Sequence, residues 1–306
     1  MAYFENYFLP SNFYFVKYLF VVLFLTINSL SFCGTFRYLP IPSVDLVKHS
    51  YYVLSYNEKY EQANWVYYEL SDSMVLNGGE ERSNKFKIDK LVVSGSAKSS
   101  DYTKSGYDRG HLCPAADMGF NKVAMEESFL MSNISPQAPD FNRGIWKELE
   151  STVRNWAKQE HRIIVVTGPV FKDTKGTIGQ DGVVVPGYFF KIIYDATDQP
   201  RMVAFILPNE KSNRPLTDFA VSTDEAEKIT GLDFFSQLPD DLESQLESKV
   251  ELAGWFSGYE PKEPVLAKKQ DNKMAVQNKP IYFYLILLSV ILLVILFVAF
   301  KGRRRK

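Results

Sequence analysis

The chain has three histidines, so few of its side chains can exchange a proton near neutral pH. His161 stands between charged residues at the start of an apolar run and reads as a solvated loop residue, and His49, in VKHS, reads as structural. His111 differs in its company. The stretch SGYDRGHLCPAADM, Ser105–Met118, places Asp108, Arg109 and Gly110 directly before it. A guanidinium can grip a phosphate bidentately, a carboxylate can fix a loop, and a glycine permits an unusual backbone angle or a close approach. This set could hold a phosphate beside a base. A lone His next to an Arg is nevertheless more often structural, so the stretch alone decides little.

The segment SNISPQAPDFNRGIWKELESTVRNW adds Asn133, Asn142, Glu150 and Arg154. On a helix starting near Asn142, the last three fall within roughly 120° of one another. Taken alone, Glu150 and Arg154 are accounted for by an exposed i,i+4 ion pair, worth a few tenths of a kcal/mol.

Positioning these groups requires a folded frame. Apolar runs predict strands at Tyr51–Ser55, Trp65–Leu70, Ile163–Phe171, Tyr188–Tyr194 and Met202–Leu207. RIIVVTGPVF and RMVAFILP are almost continuously apolar, as buried central strands are. Asn142–Gln159 reads as a helix with Ile145, Leu149, Val153 and Trp156 on one face. Ser222 to Glu225 has the capping-box pattern, and Gly231 is a natural stop. Strands and helices intermix without regular βαβ alternation, which favours an α+β domain with a mixed central sheet flanked by helices.

The ends differ from the middle. Tyr18–Ile27 reads YLFVVLFLTI after Lys17, the layout of a signal peptide leaving through Ser29–Gly34, or of an uncleaved anchor. Cys33 stands where a lipidated cysteine could, although the bulky Phe32 before it argues against that. Residues 281–300 carry no charge and end in KGRRRK, enough to span a bilayer with the basic cluster on the cytoplasmic side. They also resemble a processed C-terminal sorting signal. The expected organisation is therefore a signal or anchor at 1–33, a catalytic domain at 37–258, a stalk at 259–280, a membrane helix at 281–300 and a basic tail at 301–306. The expected location is exported, with a C-terminal anchor. Without the basic tail the chain is clearly acidic, unlike a protein that simply coats nucleic acid. The two cysteines, of which only Cys113 lies inside the domain, give no internal disulfide.

Taken together, the motifs resemble the DNA/RNA non-specific endonucleases, the sugar-non-specific nucleases that include endonuclease G. DRGH at 108–111 is the hallmark, and SNISPQ with NRGIW and the LE that follows matches the second motif in order and spacing. RSNKF at Arg82–Phe86, VTGPVF, VPGYFFK, FILPN and TGLDFFSQLP extend the likeness over residues 45–257. The resemblance implies a ββα-metal (His-Me finger) site and cleavage of DNA and RNA to 5′-phosphorylated fragments. It implies His111 as general base and Asn142 as the direct protein ligand of one hydrated Mg²⁺, for which Mn²⁺ could substitute. Glu150 would orient waters around that ion, and Asn133 would position His111 or the substrate. Arg109, Arg154 and Arg82 would bind phosphate or its developing charge, with Asp108 and Gly110 in support. Cys113 would be a packed thiol. The implied partners are nucleic acid and, through the tail, a membrane; a homodimer is compatible with the sequence. The competing readings are a tethered module that binds nucleic acid without cutting it, a stalked surface interaction protein, and a nuclease confined to one substrate such as RNA.

Overall fold

The computed structural model describes residues 36–256. The expectations for residues 1–33, for the stalk and for the span at 281–300 lie outside these residues. Among the described residues no helix is long and apolar enough to cross a membrane.

Seven strands form the main sheet: β1 (Leu46–Lys48), β2 (Tyr52–Asn57), β3 (Gln62–Ser71), β6 (Arg162–Val170), β9 (Tyr188–Asp195), β10 (Arg201–Pro208) and β11 (Ala220–Val221), adjacent in that order. Every pairing in it is antiparallel. This corrects the expected mixed sheet. Most neighbours follow one another in sequence through short connections, which pair strands antiparallel, whereas parallel pairing needs a crossover. Two excursions interrupt that simple order. Residues 72–161 leave between β3 and β6 and carry the strand pair β4 (Asp108–His111) and β5 (Ile134–Gln137). A smaller pair, β7 (Thr177–Ile178) and β8 (Val183–Val184), lies between β6 and β9.

The period-two alternation of the strands divides the core into two layers. Tyr52, Leu54, Tyr68, Ile163, Val165, Phe189 and Phe205 face one side. Val53, Trp65, Tyr67, Ile164, Val166, Phe190 and Ile192 face the other. Helices α1 (Asp72–Leu76), α2 (Lys122–Ser128) and α3 (Lys147–Gln159) belong to the excursion, and α3 packs Leu149, Val153 and Trp156 into the first layer. The second layer is covered by α4 (Thr223–Thr230) and α5 (Asp240–Glu247), which contribute Ala226 and Leu246. At the start of α4 the Ser222 side chain accepts a hydrogen bond from the Glu225 amide. At its end Gly231 takes φ 72°, a left-handed cap that costs glycine nothing.

The expected helix from Asn142 begins five residues late. Pro139–Phe141 makes one turn, Asn142–Trp146 a wider π-type turn in which Gly144 leaves helical geometry, and only then does α3 run regularly. Trp156 anchors α3. Its indole nitrogen donates to the Trp255 carbonyl at 2.6 Å, and its ring packs against Trp255, Phe205 and Phe256. Replacing Trp156 with alanine is expected to cost about 3–5 kcal/mol in urea unfolding, because a buried aromatic and a satisfied donor are lost together; a loss below 1 kcal/mol would show that α3 is held by other contacts.

Candidate active site

The β4–β5 ribbon presents DRGH. Gly110 pairs with Ser135 and His111 with Ile134. A Cβ at Gly110 would overlap the side chain of Gln137, so this glycine serves a close approach, its backbone angle not being left-handed. The ribbon is tied to the main sheet by Ser135 Oγ, which donates to Gln62 Oε1 at 2.5 Å. Beyond β5, Asn209 gathers three segments: its amide donates to the Pro136 and Pro186 carbonyls, and its oxygen accepts from the Ala138 amide at 2.8 Å.

His111 is 7% exposed and packs between Phe86 and Phe129, ring centroids at 5.6 and 4.7 Å. Its Nε2 is buried without a hydrogen-bond partner among the described residues. Burial, reinforced by the Arg82 guanidinium, pushes the imidazole pKa down to about 3. The ring is accordingly neutral at physiological pH.

Four arginines, Arg82, Arg109, Arg143 and Arg154, converge with it on a pocket of about 270 Å³. Arg82 lies 5.0 Å over the Phe129 ring, and Arg109 lies against Phe86 and Tyr102 while donating to the Ser99 carbonyl at 2.5 Å. Arg154 donates to Asp117 Oδ1 at 2.8 Å; Asp117 is fully buried and also accepts from the Tyr68 hydroxyl at 3.0 Å. Asn142 and Glu150 line the same pocket. Asn142 donates its amide to Asp108 Oδ2 at 2.9 Å, and Asp108 is further clamped by both arms of Arg143, at 2.8 and 2.6 Å. Asp108 is held below the usual carboxylate range: burial works against this, but the bonds from Arg143 and Asn142 prevail. The Asn142 carbonyl oxygen is left as the donor available for a ligand.

The pocket therefore collects six of the nine residues singled out from sequence: Arg82, Arg109, His111, Asn142, Glu150 and Arg154. Asp108 and Gly110 support it from behind. Asn133 does not reach it. It is fully buried, accepting from the Cys113 amide at 2.8 Å and donating to the Cys113 and Ser128 carbonyls at 2.9 Å each. A substrate contact for Asn133 is thus corrected to a clamp on the chain just past His111, because a side chain with no exposed surface cannot touch a polymer. Cys113 is a buried free thiol whose pKa burial raises well above the ordinary value.

Sequence reasoning missed Arg143, Asp117 and Lys191. Lys191 is fully buried on β9, its ammonium 4.7 Å from the Trp146 ring and without a hydrogen-bond acceptor among the described residues. Burial depresses its pKa, while Glu150, Asp117 and Cys113 oppose the change. The signal was available, since a lysine between Phe189, Phe190 and Ile192 in a central strand is rarely buried without a purpose.

Burial pushes the Glu150 carboxyl up to about 7; Lys191 opposes the rise, Asp117 adds to it, and Arg154 and Arg82 oppose it. The folded state thus keeps a proton that the unfolded chain releases near 4.5. This contribution to stability is fully present below the unfolded value and is lost as pH rises through the folded one. In EDTA, thermal melting of the Glu150→Gln protein should therefore gain on the native protein between about pH 5 and 7 and hold a constant difference above. A difference that is flat across that window would contradict the assigned shift.

Comparison with known proteins places the site in a family. Residues 38–241 match the family model described as DNA/RNA non-specific endonuclease. Nuclease C1 of Cunninghamella echinulata var. echinulata is 38% identical over 211 residues, covering 63% of this chain and 84% of that protein. The mitochondrial nuclease of Saccharomyces cerevisiae is 32% identical over 231 residues, covering 67% and 70%. Among solved structures, a chain of an EndoG/EndoGI complex described for its inhibition mechanism superposes with a TM-score of 0.61 at 32% identity, covering 66% of this chain and 89% of that one. These findings run against the expected exported, C-terminally anchored location: the yeast relative is a mitochondrial nuclease by name.

Proposed function

The chain belongs to the DNA/RNA non-specific endonuclease family and is an endonuclease acting on nucleic acid, and from that premise we propose that it cuts both DNA and RNA to 5′-phosphorylated fragments, using Mg²⁺ with His111 as general base. The catalytic domain in this reading is residues 37–258. The observation that carries it is a buried imidazole facing a pocket lined by four arginines. We read the β4–β5 ribbon and the turn into α3 as the ββα-metal unit.

Enzymes of this family are metal-dependent, and the donor set suits a hydrated Mg²⁺. Asn142 offers one neutral oxygen held in place through Asp108, and Mg²⁺ keeps most of its waters and takes few protein ligands. When bound, the ion would supply Lewis-acid stabilisation of the leaving 3′ oxygen.

The remaining steps fall to the side chains. With Nε2 shut among aromatic rings, Nδ1 of His111 takes the proton of the attacking water, which an imidazole that is neutral at the working pH can do. Arg82, Arg109 and Arg154 meet the charge that gathers on the pentacovalent phosphorus; because stacking or ion pairing fixes each one beforehand, little reorganisation is needed as the charge develops. Glu150 accepts hydrogen bonds from the pocket waters and keeps them oriented. The bond between phosphorus and the 3′ oxygen breaks, the phosphate stays on the 5′ end of the downstream fragment, and the leaving 3′ oxygen is protonated by solvent. Phosphate contacts of this kind carry no base information, in keeping with a tolerant substrate range.

The test incubates the full-length chain with plasmid DNA and with RNA, each in Mg²⁺ and in EDTA, beside His111→Ala. We expect Mg²⁺-dependent loss of both substrates, absent in EDTA and reduced about 10²–10⁴-fold by the substitution. Full activity in His111→Ala would remove the base assignment. Intact DNA beside degraded RNA would narrow the substrate, and intact substrate everywhere, from folded protein, would leave a module that binds without cutting.

A further inference from the structure

On the face of the sheet opposite α3, helices α4 and α5 bring carboxylates together without a matching cation among the described residues. One oxygen each of Asp224, Glu227 and Glu247 lies within 4.8 Å of the others. Asp224 and Glu227 are one turn apart on α4, and Glu247 comes from the last residue of α5. Exposed acidic clusters of this kind are common and ordinarily mean nothing. Here the third member is different: Glu247 is 3% exposed, and its Oε1 is buried with no hydrogen-bond partner among the described residues. A carboxylate oxygen removed from water without a donor is costly, and it persists only where something compensates it.

The charges acting on Glu247 make the imbalance worse. Glu227 and Asp224 face it from α4, Glu243 from its own helix and Asp233 from the segment between them. Lys228, the basic residue of the last turn of α4, is exposed and turned toward Glu225. Glu227 is already oriented, its Oε1 accepting from the Phe234 amide at 2.8 Å.

We propose that Asp224, Glu227 and Glu247 form a cation site separate from the His111 pocket, taking one calcium-like divalent ion that ties α4 to α5. The donors are all hard oxygens, which excludes softer metals. Three carboxylates from two helices give an irregular shell that Ca²⁺ accepts, with bidentate carboxylates and waters completing it, whereas Mg²⁺ demands near-octahedral order. Burial, with the four neighbouring acids, pushes the Glu247 carboxyl upward, in keeping with a cluster that lacks a compensating cation among the described residues. No bond to nucleic acid is involved, so the ion acts on stability and leaves the cutting chemistry alone.

The experiment uses the full-length chain carrying Asn142→Ala, so that the catalytic pocket contributes no metal ligand. CaCl₂ at about 100 times its apparent Kd should raise the melting temperature by about 5–10 °C. This response should vanish when Glu247→Gln is added. It should also vanish with Asp224→Asn, a partly exposed position that tests the site even if the buried substitution disturbs folding. Absence of a calcium-dependent shift, or an equal shift in both variants, would overturn the proposal and leave Glu247 as a protonated buried acid. An equal response to MgCl₂ at the same concentration would overturn the calcium preference. In the chain with Asn142 restored, Glu247→Gln should leave Mg²⁺-dependent cleavage at 25 °C unchanged, so this inference and the nuclease assignment can fail independently.

Discussion

Arg154 and Asp117 meet at 2.8 Å where α3 passes the loop that follows His111, the arginine side chain 18% exposed and the aspartate not at all. This ion pair joins the two halves of the site. One half is the ribbon with Arg109 and His111; the other is the π-type turn and helix with Asn142, Glu150 and Arg154 itself. Neither half has the full set of groups alone. Tyr68 of β3 supplies the second hydrogen bond to Asp117, so the clasp is also referenced to the sheet. A buried pair of this kind contributes little beyond an apolar contact while intact, but removing one partner strands a charge and costs about 3–5 kcal/mol. Its value is in geometry: it sets the spacing between the ribbon that carries His111 and the helix that carries Glu150.

The same low-dielectric floor explains the opposite behaviour of the ionisable groups around it. Burial drives the imidazole of His111 down and the carboxyl of Glu150 up. Each is thereby biased toward its neutral form, and the arginines at the rim are the fixed charges of the pocket. Lys191 beneath them has no acceptor of its own. Its ammonium rests on the Trp146 ring, a cation–π contact that is worth more once water is excluded. The site is therefore an island of charge on an apolar layer, with its members chosen so that most of the charge is positive where phosphate would lie.

Much of this was legible in the sequence, for reasons that differ from element to element. The five core strands announce themselves by β-branched and aromatic runs, because a strand buried on both faces leaves no room for polar residues. The membership of the pocket was legible through the DRGH and NRGIW motifs taken together, since Arg109, His111, Asn142, Glu150 and Arg154 do line one pocket. The strand directions did not, since antiparallel and parallel ladders ask for the same residues. The late start of α3 was hidden because Gly144 interrupts a periodicity that continues on either side of it. Asn133 was misplaced for a related reason: an amide that clamps backbone and an amide that touches substrate are the same letter. Asp117 was visible as a letter, but its bonds reach Arg154 on α3 and Tyr68 on β3, and no local pattern encodes contacts of that range.

The position of the excursion between two paired strands carries a consequence for how the enzyme comes into being. Ser71 at the end of β3 lies against Arg162 at the start of β6, so the inner edge of β3 stays open until all of residues 72–161 have been synthesised and folded back. Contacts so distant in sequence form slowly, because a long loop must close before they reward it. The ribbon bearing His111 is pinned later still, since Asn209 supplies the bonds to Pro136 and Ala138. A nascent chain on the ribosome thus carries every residue of the pocket well before it can assemble them.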